Sequence, residues 1–270
     1  MDYSQYKTII PAASFSNIGI QFVPISNALT PYVQCIWFVS ENASKTRSIQ
    51  EKFYPDAGSS ITFNITPNTV KAFFFHHAKV CAKQWELGTR YISIRLKPGA
   101  AKALLGIDID ERNNLDIELP LFNSPHFYSI SRLLDLLYSK KAFEQIVTIQ
   151  DWLTQLCQRT DFANQKWQGL LESSASSLTP PQQLANDCGM SRRTLERHLK
   201  KHFGFSPNQL HHFAQIRHAR YQLMSSSNTL SDIALECGFF DQAHFTNMFR
   251  EHALETPLQY RKRKLSQISN

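Results

Sequence analysis

The hydrophobic positions of this chain change their period about halfway along. Over residues 1 to about 120, short runs of β-branched and aromatic residues are broken by Pro, Gly, Asn and Asp, which predicts strands. The clearest runs are Gly19 to Ile25, Tyr32 to Ser40, Ser60 to Ile65, Val70 to Phe75 and Arg90 to Leu96. Their spacing fits a small barrel or sandwich, with a turn at Pro98-Gly99 and a short helix over Ala100 to Leu105. From Ser124 onward the apolar steps lengthen to three and four residues: Leu133, Leu134 and Leu137, then Ile146, Ile149, Trp152, Leu153 and Leu156. That pattern predicts two amphipathic helices separated by Lys140-Lys141. Their apolar stripes would lie either on the β-rich core or on a second subunit. The polar run Gln158 to Asn164 marks a boundary, dividing the chain into residues 1–160 and 161–270.

Beyond the boundary, Trp167, Leu170 and Leu171 predict a helix ending in the serines of 173–177, and Thr179-Pro180 predicts the start of another. Two similar units follow. In the first, Leu184-Ala185 sits on a short helix, Cys188-Gly189-Met190 makes a turn, and Ser191 opens a helix with Leu195, Leu199 and Phe203 along one side. About fifty residues later, Asp232-Ile233-Ala234, Gly238-Phe239 and Asp241 repeat this order, and Phe245 and Phe249 form the buried side of the last helix. Between the units Ser206-Pro207 opens a segment that runs unbroken to about Met224. About eighteen residues of helix span about 27 Å. Major grooves facing one side of B-DNA recur every ~34 Å, so the arrangement favours one chain reading two adjacent grooves.

The outward sides of the two late helices differ in chemistry. On the first, Arg193, Arg197 and Lys200 face out with Glu196 at the edge; on the second, Ala243, Asn247 and Arg250 face out, flanked by Gln242, His244 and Thr246. An Arg can give two parallel N–H donors to O6 and N7 of guanine, and an Asn matches adenine in the same bidentate way. Arg193 and Arg197 are therefore assigned to guanines, Asn247 to an adenine and Ala243 to a thymine methyl. Ser191, Arg192, Lys200, Arg250 and Arg261 are expected on phosphates, and the run Arg261-Lys262-Arg263-Lys264 either adds phosphate attraction or is a frayed, solvated tail. A cationic helix face alone describes many solvated surfaces; its repetition behind two Gly-containing turns points to DNA.

Residues 180 to 261 resemble the DNA-binding domain of AraC/XylS-type transcription regulators. The likeness rests on Leu184-Ala185, Gly189-Met190-Ser191, Gly204 with Ser206-Pro207, Asp232-Ile233-Ala234, Gly238-Phe239, His244-Phe245, Phe249, Thr256-Pro257 and Tyr260-Arg261. It implies base contacts from Arg193, Glu196 and Arg197 in the first unit and from Gln242, Ala243, His244, Thr246 and Asn247 in the second. The chain departs from the family pattern at Asn247, where Arg is usual, at Ala253-Leu254, where Phe-Gly is usual, and at Gln215, which replaces a common Arg. Tyr54-Pro55-Asp56-Ala57-Gly58 leading into Ile61 to Asn64, and Ile94 to Ala101 leading to Leu104-Leu105-Gly106, look like a sensor domain of some such regulators. That likeness implies a cupin-like β-rich fold and no defined ligand. The expected architecture is thus α+β in two domains, a β-rich sensor with helices followed by an all-α DNA-binding domain.

Charge and cysteine usage agree with this picture. With 29 Lys plus Arg against 22 Asp plus Glu the net charge is +7, which suits a polyanionic partner. Cys35, Cys81, Cys157, Cys188 and Cys237 are scattered, without Cys-x-x-Cys spacing, as expected of reduced thiols in a cytoplasm. Cys188 and Cys237 precede equivalent turns and read as packing residues. The N-terminus has no charged-then-apolar leader and no run long enough to span a bilayer, so membrane insertion and secretion are not expected. Adjacent His76 and His77 would point to opposite strand faces, and the histidines of the second half lack carboxylate or cysteine partners, so no metal or other cofactor is expected. No nucleophile motif or phosphate loop appears, and the Pro-Cys-His-Arg setting of alkyl-transferring repair proteins is missing, which argues against an enzyme. Trp37, Phe53, Phe75 and Trp85 are core rings or the walls of a small-molecule effector site, where Arg95 would meet a carboxylate or instead form a structural ion pair. The expected partners are double-stranded promoter DNA, RNA polymerase, a small-molecule effector and a second copy of the chain. The function reading is a regulator, an activator by preference. The rival reading is an effector-independent factor whose first domain only dimerises or binds a protein.

Overall fold

A computed structural model describes residues 20–40, 48–86, 88–110, 114–120, 125–160 and 178–268. The helix expected around Trp167, Leu170 and Leu171, and the boundary near residue 160, lie at or outside the edge of these described residues. The first domain contains β1 (Gln21–Val23), β2 (Val33–Val39), β3 (Ser48–Phe53), β4 (Ser59–Ile65), β5 (Val70–His76), β6 (Cys81–Glu86), β7 (Arg90–Leu96), α1 (Ala100–Leu105), β8 (Leu115–Leu119), α2 (Pro125–Tyr138) and α3 (Ala142–Arg159). Six strands form an antiparallel sheet in the order β1-β2-β7-β4-β5-β8, and β3 pairs with β6 in a separate ribbon.

Strand periodicity of two gives the sheet two different faces. Ile36, Ile61, Phe63, Phe74, Ile92 and Ile94 point to one side, where they join Ala101, Leu104, Leu133, Leu137, Ile149 and Leu153 from the three helices in one buried core. The apolar stripes of α2 and α3 are therefore used within the chain, against the sheet. Of the two placements expected for these stripes, the one on a second subunit is set aside for Leu137, which is fully buried in this core. On the outer side of this helix pair Leu136, Phe143 and Val147 remain exposed. The opposite sheet face carries Trp37, Thr62, Phe73, Tyr91 and Ser93, and the β3–β6 ribbon lies over it. Trp85 of the ribbon meets Trp37 at 5.8 Å and Tyr91 at 5.0 Å, both edge-on.

The second domain is all helical: α4 (Pro181–Asp187), α5 (Arg192–Phe203), α6 (Pro207–Ser225), α7 (Leu230–Glu236), α8 (Gln242–Ala253) and α9 (Pro257–Ile268). α4 begins one residue later than Thr179-Pro180 suggested. Pro180 itself occupies the cap position and Pro181 the first turn, so no side chain caps this helix. Two separate hydrophobic clusters hold the domain. Leu184, Leu195, Leu199, Phe205 and Phe213 fill the first; Ile216, Ile233, Phe245, Phe249 and Tyr260 fill the second. α6 contributes to both, from its two ends.

Candidate DNA interface

Helices α5 and α8 each start where the sequence supplies a cap. Ser191 Oγ accepts the Thr194 amide at 3.1 Å at the head of α5, and Asp241 Oδ1 accepts the His244 amide at 2.7 Å at the head of α8. The turns before them are built alike. Cys188 and Cys237 close α4 and α7, and Gly189 and Gly238 then take φ values of 62° and 76°, in the left-handed region that glycine enters freely. Ser206 and Thr229 cap α6 and α7 in the same manner. Leu195, Leu199 and Phe203 anchor α5, and Phe245 and Phe249 anchor α8, which turns the opposite sides to solvent.

Those solvent sides hold the residues expected to read bases. Arg193 and Arg197 are exposed on α5, with Glu196 half-buried and paired to Lys200 at 3.4 Å. On α8, Gln242, Ala243, His244 and Asn247 are exposed and Thr246 is half-buried, its hydroxyl donating to Gln242 O at 2.8 Å. His244 Nδ1 accepts the Phe240 amide at 3.4 Å, so in the neutral ring Nε2 carries the proton and is a donor. Arg250 is exposed, while Arg192 donates to Asn208 at 2.7 Å, tying α5 to the start of α6. Phe240, which the sequence patterns did not single out, stands 87% exposed at the entry to α8. Its only sequence signal was an aromatic residue directly before a helix cap.

Two expected phosphate contacts are corrected. The Arg261 guanidinium donates to Leu223 O at 3.3 Å and Asn228 O at 2.8 Å, so it closes the end of α6 inside the protein. Arg263 is likewise engaged by Glu255, and Lys264 is buried, so the basic run at 261–264 belongs to a packed helix and only Lys262 of it is exposed. Two of the three departures from the family pattern find structural places. Gln215 Nε2 donates to Cys237 O at 3.2 Å and Gly238 O at 3.0 Å and so steadies the second turn. Leu254 takes the left-handed cap after α8 with φ 54°, a position that ordinarily selects glycine.

In the first domain, Trp37, Phe53, Phe75 and Trp85 do come together, between the sheet and the ribbon. Phe53 is 6.0 Å from Trp85 and 5.5 Å from His77, Phe75 stacks with Phe73 and His77, and Lys83 Nζ sits 3.0 Å above the Phe75 ring. Polar groups lie beside these rings: Thr62 and Ser93 share a hydrogen bond of 2.8 Å, and Asn64 Oδ1 is buried with no hydrogen-bond partner among the described residues. Arg95 does not offer its charge to this space. It is paired with Asp56 and donates to Ser60 at 3.1 Å, so the ion-pair reading replaces the carboxylate-binding one. His76 and His77 do face opposite ways, His76 Nδ1 meeting Gly58 O at 3.1 Å. Among the described residues no three His, Cys, Asp or Glu side chains are grouped to hold a metal, and no helix is long and apolar enough to cross a membrane.

The ring cluster makes stability depend on pH. Burial, helped by Arg95, His76 and Lys83 and opposed by Asp116, pushes His77 down from 6.5 to about 4. The unfolded chain takes up this proton near 6.5 and the folded chain only near 4, so between those values the unfolded state binds more protons and stability falls as pH falls. Burial lowers His76, His211, His212 and His252 as well, with the same sign. The thermal midpoint should drop steadily from about pH 7 to about pH 4.5, and less steeply in His77→Phe. An identical slope in the variant would remove His77 from this account.

Comparison with known proteins matches both domains to family models. Residues 184–263 match a helix-turn-helix domain, and residues 21–118 match a domain of unknown function, DUF6597. The transcriptional activator RhaS of Yersinia pestis (strain Pestoides F) and that of Yersinia pseudotuberculosis serotype O:1b (strain IP 31758) are each 33% identical over 91 residues. The match covers 34% of this chain and 33% of each relative, so the chain spans about a third of the length of these activators. Among solved structures, a transcriptional regulator from Chromobacterium violaceum with an AraC-type DNA-binding domain is 29% identical, covering 37% of this chain and 96% of its own, with a TM-score of 0.33.

Proposed function

We propose that the protein is a sequence-specific transcription regulator of AraC/XylS type that reads two adjacent major grooves, a reading supported by the helix-turn-helix match over residues 184–263 and by the likeness to the transcriptional activator RhaS. The observation that carries this reading is the pair of capped helices α5 and α8, each anchored by buried Leu or Phe and each presenting Arg, Gln, His or Asn to solvent. α6 has 19 residues, a length of about 28 Å, which suits two helices set about one turn of duplex apart. Arg193 and Arg197 read guanines, Asn247 reads adenine, Ala243 packs on a thymine methyl, and Ser191, Arg192, Lys200 and Arg250 hold phosphates. Gln242, His244 and Thr246 contact bases beside Asn247, and Glu196 sets the orientation of Lys200 through their ion pair. Promoter DNA and RNA polymerase are the partners, with activation the preferred outcome. Control comes from a small molecule held by the rings of Trp37, Phe53, Phe75 and Trp85 in the first domain.

Genome-wide mapping of bound sites tests this. Discrete promoter peaks should share a motif of two halves with centres about 10–10.5 base pairs apart. Binding spread evenly over the genome would reduce the basic helices to non-specific contacts.

A further inference from the structure

The two stretches of the first domain that carry its family likeness reach the second domain. Tyr54, just after β3, packs against the cluster around α8 and α9; its ring stands edge-on to Tyr260 at 6.1 Å, with the Arg220 guanidinium 3.5 Å above it. Polar contacts surround the ring. Lys52 Nζ donates to Ala253 O at 3.2 Å and to the Glu255 carboxylate at 3.0 Å, and Arg263 donates to the same carboxylate at 2.7 Å and to Tyr54 Oη at 3.1 Å. Three residues further on, Ala57 is fully buried in the other cluster, the one around α4 and α5. A φ of 64° at Ala57 makes the sharp turn between the two anchors. Between them Asp56 pairs with Arg95 and lies within electrostatic reach of Arg217 on α6.

Close backbone approaches add a second hold on the first unit. A Cβ on Gly204, the cap of α5, would fall 1.9 Å from Ile109 O, and a Cβ on Gly99 would fall 2.6 Å from the Phe203 ring. The His76 and Phe205 rings are 5.4 Å apart. The first domain thus straddles α6, with a side chain in the core of each helix-turn-helix unit. A single helix joining two small units leaves each unit free to pivot at its end; a third body fastened to both removes that freedom.

We propose that the Tyr54–Gly58 turn is a brace that fixes the distance and angle between the reading helices α5 and α8, so that the first domain sets which gap between half-sites the protein accepts. This rests on the two-groove reading above. A rigid connection gives the second helix a high effective concentration at one gap and almost none at another, whereas a loose one is forgiving.

The test uses the full chain, a mapped site, and the same site with one base pair added to or removed from the gap. One base pair turns the second half-site by about 35° around the duplex. Wild-type affinity should fall about a hundredfold on either change, and that of Tyr54→Ala less than about tenfold. Lys52→Ala combined with Tyr54→Phe, which keeps the ring and removes its polar clamp, carries the same test if Tyr54→Ala does not fold. A folded variant that discriminates gaps as sharply as the wild type overturns the brace. A wild type that binds its motif equally at every gap also overturns it while leaving sequence reading intact. A wild type that prefers no sequence overturns the function reading itself, and the brace with it.

Discussion

Replacing Arg193 and Arg197 together by alanine should weaken binding to a mapped site by about 2–6 kcal/mol, since each bidentate contact to guanine contributes about 1–3 kcal/mol. That corresponds to a loss of at least about thirtyfold in affinity. The fold should survive, because both side chains are exposed and the buried side of α5 is untouched. Binding to unrelated duplex should fall much less, by the share of two phosphate-attracting charges, and this difference is the informative quantity. Affinities measured on the site, on the site with single guanines replaced, and on random duplex decide the matter. An equal loss on all three would make the two arginines phosphate contacts and move base reading in the first unit to other residues.

Phe249→Ala should cost about 3–5 kcal/mol of stability, the usual range for deleting a fully buried aromatic ring. The ring sits between Phe245 at 5.6 Å and Tyr260 at 5.5 Å, so its removal opens a cavity bounded by helices α8 and α9 and by α6. A domain of ordinary stability, about 5–15 kcal/mol, would lose a large part of its margin. Denaturant unfolding of wild type and variant measures this. The second half-site should lose its contribution to binding before the first does, because the two helix-turn-helix cores are separate clusters. A cost below about 1 kcal/mol would mean that the neighbouring rings close over the gap, against the cavity argument.

Much of the second domain could be read from the chain because its signals are local. Ser191, Ser206 and Asp241 announce their helices by cap chemistry, and each does cap the helix it precedes. The apolar steps of Leu195, Leu199, Phe245 and Phe249 fix which sides are left to solvent. Strands β2, β4, β5 and β7 were likewise legible, since their runs of Val, Ile and Phe lie in the middle of a sheet covered on one side by helices. β3, β6 and β8 were not. Their sequences SIQEKF, CAKQWE and LDIEL mix apolar residues with charged or amide ones, and such runs resemble polar loops; along β6 and β8 exposed side chains alternate with less exposed ones. Arg261 was misplaced, and Arg95 was left between two readings, for a different reason: a guanidinium declares its charge in the sequence, while the carbonyls or carboxylate that occupy it are brought near only by folding. The contacts of Tyr54 with Glu255 and Arg263 span about two hundred residues, beyond the reach of any periodicity.

The turn at 54–58 also bears on how such a protein can be recombined. A C-terminal region transplanted beneath a foreign N-terminal domain would inherit two cores, one lacking Tyr54 and the other lacking Ala57. Chimaeras that keep only the C-terminal region of this chain would therefore carry an inherited defect at the 54–58 contact. Lineages that exchange these domains must pass on the five-residue turn with its docking partners, or redesign both sides of the contact together.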